Sequence, residues 1–312
     1  MSKIAFVFPG QGSQKVGMGK DLFEKFPEAR AVFETVDAAL GEKLSTLCFE
    51  GPEDALKLTA NTQPAILTVS LAVHAVFAQR VPSPAFVAGH SLGEYSALVA
   101  AGAMPLADAA RAVRARGTFM QEAVPAGVGA MAAVLGLEPD KVKAACDAAA
   151  QGEVVSPANY NSPEQTVIAG HASAVSRAEA KLKEAGAKRV MPLPVSAPFH
   201  CALMDPVKPQ LADVLGEVKV SAPRFPVVTN VEARPNSDAA RVVPLLLEQV
   251  SAPVRWIECV EALKAEGVTR VVELGPGKVL AGLVKRITKD IETFNVEDAA
   301  SLEKTLAALG AA

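Results

Sequence analysis

The sequence is poor in aromatic residues, cysteine and histidine, and each shortage excludes a class of site. Aromatic residues make up 5% of the 312 residues, so an aromatic-rich binding surface is not expected. The four histidines are scattered and the four cysteines form no CxxC pair, so the spacing of zinc ligands is absent. Free buried thiols in a reducing compartment are therefore expected at Cys48, Cys146, Cys201 and Cys259.

Long apolar runs and a strong charge of either sign are also missing. No stretch approaches the ~20 apolar residues that a membrane helix needs, and the apolar run that ends at Phe8 is too short for a signal peptide. The net charge of -3 gives the whole protein no attraction to nucleic acid or to an anionic membrane. These absences predict a cytoplasmic protein without a nucleic-acid or membrane partner.

Half of the residues are hydrophobic, which suits a large core in one large domain or in one domain with an insertion. Short apolar runs bounded by Gly or Pro predict buried strands at Lys3–Phe8, Ala85–Ala88, Pro226–Thr229 and Arg270–Leu274. Segments of helical period predict helices at Asp21–Leu40, Gln63–Arg80, Pro105–Val124, Ile257–Glu266, Val279–Thr288 and Ala299–Ala312. Pro64 and Pro105 fall in the first turns of two of these helices. The alternation indicates a mostly parallel sheet covered on both faces.

The middle of the chain has a different order of elements. The pattern there is strand, helix, strand, strand, helix, strand, at Ala130–Leu135, Glu138–Ala150, Val154–Asn159, Gln165–Gly170, Ala172–Ala185 and Lys188–Pro192. This βαββαβ order is that of a ferredoxin-like unit. We therefore predict a ferredoxin-like subdomain at 127–195, inserted into a discontinuous large domain formed by 1–126 and 196–312.

One pentapeptide, Gly89-His90-Ser91-Leu92-Gly93, predicts a catalytic serine. It directly follows a predicted strand and precedes a helical stretch at 94–101. In that context G-x-S-x-G is typical of a nucleophile elbow, which projects the serine hydroxyl from the tip of a turn. The N–H of Leu92 then lies at a helix N-terminus, where an anion is favoured. A glycine-rich loop with an incidental serine is the alternative. The context favours the elbow and an α/β fold with an α/β-hydrolase-like large domain.

A nucleophilic serine needs a base, because its hydroxyl is barely ionised at neutral pH. His90 adjoins Ser91, but neighbouring side chains diverge on a sharp elbow. His74 lies inside a predicted helix and His171 follows a strand of the insertion, so structural roles are the better interpretation of both. His200 lies in a proline-marked loop where the chain returns to the large domain, which is where a base facing an elbow is expected.

Further motifs extend over nearly the whole chain, from about residue 4 to about residue 283. They are Gly10-Gln11-Gly12-Ser13-Gln14, Asn61-Thr62-Gln63-Pro64-Ala65, Gly89-His90-Ser91-Leu92-Gly93-Glu94, Phe199-His200, Ser251-Ala252-Pro253-Val254-Arg255-Trp256 and Glu273-Leu274-Gly275-Pro276-Gly277. In this order the sequence resembles the malonyl-CoA:acyl carrier protein transacylases and the related acyltransferase domains of polyketide and animal fatty acid synthases. Several separated motifs in one order are far more specific than a single G-x-S-x-G.

The resemblance implies transfer of a malonyl group from malonyl-CoA to the phosphopantetheine thiol of acyl carrier protein, for fatty acid or polyketide synthesis. It implies that Ser91 accepts the acyl group and that His200 is the general base and later the general acid. The backbone N–H groups of Gln11 and Leu92 are implied to form the oxyanion hole, and the main-chain carbonyl of Gln249 to orient the histidine. No cofactor or metal is implied, since the coenzyme A thioester and phosphopantetheine are substrates.

The resemblance also implies the substrate contacts. Arg116 matches the arginine that pairs with the malonyl carboxylate, a role for which a planar guanidinium is suited through two parallel charge-assisted bonds. Without the resemblance, three arginines on one helix indicate a solvated face. Gln63 matches a side chain of the same pocket, with a helix-start residue before a proline as the alternative. Phe199 is similar to the residue of malonyl-selecting members, and Met120 and Val195 are expected to wall the pocket.

The carrier proteins of this family are acidic, so a basic docking rim is expected. Lys188, Arg189, Lys285 and Arg286 are its candidates, against the alternative of ordinary surface charge. A monomer is expected. Three other functions stay open: a serine esterase or thioesterase with the same Ser–His pair, a related acyltransferase with another extender unit, and a catalytically inert scaffold or carrier-protein-binding module.

Overall fold

The computed structural model of the protein describes residues 3–195 and 197–311. The domain limits predicted at residues 1, 196 and 312 lie outside the described residues. The strands of the described chain are β1 Lys3–Phe8, β2 Phe86–Gly89, β3 Gly129–Leu135, β4 Val155–Ser162, β5 Gln165–His171, β6 Arg189–Pro192, β7 Val227–Val228, β8 Pro235–Asn236, β9 Val268–Leu274 and β10 Glu292–Val296.

The helices surround two sheets. They are α1 Lys20–Lys25, α2 Pro27–Leu40, α3 Leu44–Glu50, α4 Glu53–Lys57, α5 Thr59–Phe77, α6 Gly93–Ala100, α7 Leu106–Glu122, α8 Pro139–Ala150, α9 Ala172–Glu184, α10 Val207–Gly216, α11 Ala239–Gln249, α12 Trp256–Ala265, α13 Val279–Ile287 and α14 Ala299–Leu309, with a short 3-10 turn at Ala202–Met204.

The larger sheet is mostly parallel, which confirms the prediction from the alternating elements. Its strand order is β10-β9-β1-β2-β7-β8, and all neighbours are parallel except β7 and β8. Residues 5–8 of β1 are fully buried, so this strand has an unbroken apolar run instead of an alternating one. Phe8 pairs with Gly89 at the ends of β1 and β2. The loops that follow these two strands therefore lie together at one edge of the sheet.

The smaller sheet is antiparallel throughout, with the order β4-β5-β3-β6. Its strands alternate with α8 and α9 in the predicted βαββαβ order. The two helices bury an apolar cluster against it that includes Val134, Ile168 and Leu182. Strand β4 also joins the larger part of the chain, because the N–H of Tyr160 donates to the carbonyl of Val254 (2.9 Å).

The predicted helix Asp21–Leu40 is in fact two helices, α1 and α2. Phe26 between them is extended, with φ -123° and ψ 116°. The cause is Pro27, because the residue before a proline is disfavoured in the helical region. Pro27 then occupies the first turn of α2, where its missing N–H costs nothing.

Helix α5 begins one turn earlier than predicted, so the prediction of Pro64 in a first turn is wrong. The carbonyl of Leu58 accepts hydrogen bonds from the N–H groups of Asn61 and Thr62 (2.8 Å each), so the helix has already formed when the chain reaches the proline. Gln63 is consequently a buried residue in the helix and not a helix-start residue.

The sequence pattern does not reveal α3, α4, α10, α11, β8 or β10. Helix α11 matters most for the site, because its last residue is Gln249. Pro244 inside the helix hides it from pattern reading. One start signal is present in the sequence: the side chain of Asp238 caps the helix by accepting from the N–H of Ala240 (2.9 Å).

The four cysteines are buried and unpaired, as predicted. Burial raises the pKa of the Cys201 thiol to about 11, so this neighbour of His200 is a poor nucleophile at neutral pH. Across residues 3–195 and 197–311, no helix combines the length and apolar character needed to cross a bilayer.

Candidate active site

The turn between β2 and α6 places Ser91 at the tip of a sharp bend. Ser91 has φ 52°, a left-handed conformation that residues with a side chain rarely adopt. Two glycines permit the bend. A Cβ on Gly89 would lie 1.9 Å from the carbonyl of Gly93, and a Cβ on Gly93 would lie 2.0 Å from the carbonyl oxygen of Phe8. Asn230 closes the turn, because its Oδ1 accepts from the N–H of Ser91 (2.6 Å) and its Nδ2 donates to the carbonyl of Gly89 (2.7 Å).

We expect Gly93→Ala to destabilise the protein by about 3 kcal/mol, because backbone atoms and not a flexible side chain oppose the added methyl group. Urea unfolding followed by circular dichroism measures the effect. The matched control is Gly216→Ala at the end of α10, where an added Cβ meets nothing within 4 Å. The control should change the free energy of unfolding by less than about 1 kcal/mol. Equal effects at the two positions would contradict the steric account of the elbow.

His200 faces the elbow from the loop before α10. Its Nε2 lies 2.7 Å from Oγ of Ser91. Its Nδ1–H donates to the carbonyls of Gln249 (2.9 Å) and Ala252 (3.2 Å). Because a carbonyl can only accept, these bonds leave Nε2 as the acceptor for the serine hydroxyl. His200 also has a left-handed backbone, with φ 59°, so both members of the pair occupy strained positions.

The environment of His200 favours its neutral form. Burial, followed by the charge of the nearby Arg116 guanidinium, lowers the pKa of the imidazole to about 3, while the hydrogen bond to the carbonyl of Gln249 opposes the shift. A neutral imidazole is the form that can accept a proton from Ser91.

A titration of the His200 ring tests this electrostatic environment. A histidine with a depressed pKa gains its proton only when the pH falls well below the ordinary value of about 6.5. We expect the ¹⁵N shifts of the His200 ring to stay those of the neutral form down to at least about pH 5, with the signals assigned by their loss in His200→Gln. A midpoint for His200 at or above about 6.5 would refute the expectation.

Arg116 of α7 lies beside the pair and is almost fully buried, with 1% of its surface exposed. Its Nη1 donates to Oε1 of Gln63 (2.7 Å), and its Nη2 donates to Oε1 of Gln249 (3.0 Å) and to Oγ of Ser91 (3.2 Å). Its guanidinium also lies 5.6 Å from the ring centre of Tyr95. Burial lowers its pKa, yet an arginine keeps its charge in proteins. The structure therefore holds a positive charge beside the serine hydroxyl.

A cavity of about 110 Å³ opens above Ser91. The structure brings most of the predicted site residues to its wall: Gln11, Gln63, Ser91, Leu92, Arg116, Met120, Val195, Phe199 and His200. Among the described residues, the backbone N–H groups of Gln11 and Leu92 have no hydrogen-bond acceptor. Both are thus available to an oxygen atom of a ligand.

A larger cleft of about 480 Å³ adjoins this cavity, and both share His90 and Gln11 in their walls. His90 does not point at the serine, since its Nε2 lies 2.8 Å from Oδ1 of Asn161 on β4. Asn161 and Lys57 line the cleft, and sequence reasoning missed both. Nothing local marks them, because they lie on elements far apart in the chain.

Sequence reasoning also missed the buried polar residues behind the elbow. Glu94 is 2% exposed, and its Oε2 accepts from the N–H of Asn230 (3.0 Å) and from Nε2 of Gln249 (2.8 Å). Burial raises its pKa to about 7, while these hydrogen bonds oppose the shift. Glu94 is the last residue of the family motif that begins at Gly89, but the motif gave its side chain no role.

The remaining predicted residues lie outside the cavity. His74 packs at 6.2 Å and 6.1 Å from the ring centres of Phe6 and Phe8, and Nδ1 of His171 accepts from a backbone N–H, so both have structural contacts. The four proposed rim cations are exposed and line neither cavity: Lys188, Arg189, Lys285 and Arg286.

Comparison with known proteins shows which family the chain belongs to. Residues 5–306 match the acyl transferase domain family. The chain belongs to this family. It is 50% identical over 307 residues to the malonyl CoA-acyl carrier protein transacylase of Salmonella typhimurium, covering 98% of this chain and 99% of that protein. The family resemblance predicted from the sequence is confirmed.

Solved structures are similar to this acyl transferase over almost their whole length. An acyl carrier protein S-malonyltransferase from Vibrio cholerae is 51% identical, with a TM-score of 0.95, covering 97% of this chain and 100% of the other. A second match is a chain from the structure of a type II PKS acyl-carrier protein in complex with its malonyl-transacylase. It is 47% identical, with a TM-score of 0.96, covering 98% of this chain and 100% of the other. The mixed α/β architecture is shared with these proteins.

Proposed function

We propose that this acyl transferase moves a malonyl group from malonyl-CoA to the phosphopantetheine thiol of acyl carrier protein, through a malonyl ester on Ser91. The observation that carries the proposal is the buried guanidinium of Arg116, 3.2 Å from the serine hydroxyl. Among the described residues, its three hydrogen-bond partners are neutral oxygens and its Nε has no partner. Within the described chain no carboxylate lies within ion-pair distance of it. An acyl group with a free carboxylate would supply the missing counter-ion.

The proposed chemistry is two-step acyl exchange. His200 takes the proton of Ser91 through Nε2 as the hydroxyl attacks the thioester carbonyl. The N–H groups of Gln11 and Leu92 hold the oxyanion, and the coenzyme A thiol leaves with the proton from His200. The malonyl ester then waits with its carboxylate on Arg116, and the thiol of the carrier protein reverses the sequence. No cofactor or metal takes part in these steps.

The small cavity favours a short acyl chain. Phe199 and Met120 form part of its wall, and both are buried. Rejection of one extra methyl group is worth only ~1–3 kcal/mol, so some transfer of methylmalonyl is compatible with the proposal. The adjoining larger cleft is the proposed route for the pantetheine arm, because it reaches the same oxyanion loop at Gln11.

The finer description of the architecture is also proposed. The parallel sheet with the elbow after β2 supports an α/β-hydrolase-like large domain at 1–126 and 196–312. The strand order β4-β5-β3-β6 supports a ferredoxin-like subdomain at 127–195. Docking of an acidic carrier protein on Lys188, Arg189, Lys285 and Arg286, a monomeric state and a cytoplasmic location remain predictions.

Labelled malonyl-CoA, with and without phosphopantetheinylated carrier protein, tests the function. Without carrier protein we expect a malonyl adduct on Ser91, located by peptide mass spectrometry. Addition of carrier protein should discharge the adduct onto its thiol. Rapid release of free malonate without transfer would instead identify a hydrolase, and no adduct at all would identify an inert binding module.

A further inference from the structure

Glu94 is a buried acid that neither lines the small cavity nor contacts the reacting atoms. It lies in the first turn of α6, and its Oε2 accepts from the N–H of Asn230 and from Nε2 of Gln249. The proposed acyl transfer does not use it. Burial of a carboxylate costs free energy unless hydrogen bonds compensate it. A buried acid directly behind Ser91 is therefore expected to have a function.

Glu94 orients the side-chain amide of Gln249. Its Nε2 donates to Glu94 (2.8 Å) and to the carbonyl of Ser91 (3.1 Å), while its Oε1 accepts from Nη2 of Arg116 (3.0 Å). An amide turned by half a rotation would place its NH₂ group against the guanidinium and its oxygen against the two acceptors. In that orientation donor would face donor and acceptor would face acceptor, so neither contact could be a hydrogen bond. The acceptor oxygens of Glu94 and Ser91 therefore determine which end of the amide faces Arg116.

We infer that Glu94 is a positioning residue for recognition of the charged acyl group, acting on Arg116 through the side chain of Gln249. The inference rests on the proposed malonyl transfer. A carboxylate paired directly with Arg116 would occupy the guanidinium that the acyl carboxylate must reach. With the amide in between, the acid stays in the site, and the arginine is held beside Ser91 without a direct ion pair to any carboxylate of the described residues.

The test compares transfer of malonyl and acetyl groups, because acetyl has no carboxylate for Arg116. We expect Glu94→Leu to lower kcat/KM for malonyl-CoA by about 10- to 100-fold and that for acetyl-CoA by much less. Glu94→Gln keeps an acceptor oxygen for Gln249 and should recover most of the lost malonyl preference. Equal losses for both acyl groups in Glu94→Leu, or no recovery in Glu94→Gln, would overturn the inference.

The matched control is Asp37→Leu in α2. Asp37 is also buried, at 7% exposed, and accepts from the N–H (3.0 Å) and the hydroxyl (2.6 Å) of Ser45. Its removal should lower stability without changing the ratio of malonyl to acetyl transfer. A change in that ratio as large as in Glu94→Leu would mean that loss of any buried acid has this effect.

A double-mutant cycle tests whether Glu94 acts through Gln249. If it does, Glu94→Leu adds little to the loss of malonyl preference already present in Gln249→Leu, and additive losses would refute the relay. Should Glu94→Leu not fold, Glu94→Ala takes its place in the same cycle. If the wild-type protein does not transfer malonyl, the proposed function is wrong. If the wild-type protein transfers malonyl but the Glu94 variants keep its acyl preference, only the role inferred for Glu94 is wrong.

Discussion

Ser91→Ala should abolish the malonyl adduct and lower malonyl transfer by at least about 10⁴-fold. The hydroxyl lies 2.7 Å from Nε2 of His200, and no other hydroxyl or thiol of the described residues lines the small cavity. Without the oxygen, the oxyanion donors can still bind the thioester but cannot accept the acyl group. Intact-protein mass spectrometry after exposure to malonyl-CoA, together with the transfer assay, measures the effect.

Ser96→Ala is the matched control for this substitution. Ser96 lies on α6, the helix that follows the elbow; it is fully buried, and its Oγ has no hydrogen-bond partner in the described structure. The control should keep the adduct and the transfer activity. A malonyl adduct that persists in Ser91→Ala would place the nucleophile elsewhere, whatever its amount.

Arg116→Ala should lower kcat/KM for malonyl-CoA by about 10²–10³-fold while acetyl transfer is kept or gained. The physical reason is that the carboxylate would then be buried in a small cavity without a counter-ion. Arg116→Lys should recover only part of the loss, because an ammonium cannot form the two parallel bonds of the guanidinium. Steady-state kinetics with both thioesters on one purified carrier protein measures these changes.

Arg114→Ala provides the control for the arginine. Arg114 lies on the same helix but contacts Asn61 and Glu42 at the protein surface. Its removal should leave the ratio of malonyl to acetyl transfer unchanged. If Arg116→Ala lowers both reactions by the same factor, with the fold intact by circular dichroism, the arginine is structural and the proposed substrate is wrong.

The predictions that succeeded depend on short stretches of chain. Strand, elbow and helix around Ser91 are marked by consecutive residues, and the glycines of the bend are visible in the sequence even though one of them is required by the distant carbonyl of Phe8. The errors arose where one residue changed a longer pattern. Pro27 divided a helix, and Pro244 hid α11, because a proline acts on its neighbours and on one hydrogen bond without removing the apolar period.

Recognition of the family added roles that no local pattern contains. The part played by the main-chain carbonyl of Gln249 is an example, and the structure places that carbonyl 2.9 Å from Nδ1 of His200. The family motifs did not extend to the side chain of the same residue. Its contacts with Arg116 and Glu94 are visible only in three dimensions.

By itself the sequence determined the class of fold and predicted the elbow with its serine, because apolar period, glycine and proline act within a few residues. Only the tertiary structure decided which histidine faces the serine, since Ser91 and His200 are 109 positions apart. It also decided that Arg116 is buried and that Glu94 and Gln249, 155 positions apart, meet behind the elbow. Such contacts follow from the order in which the strands assemble, which no single segment specifies.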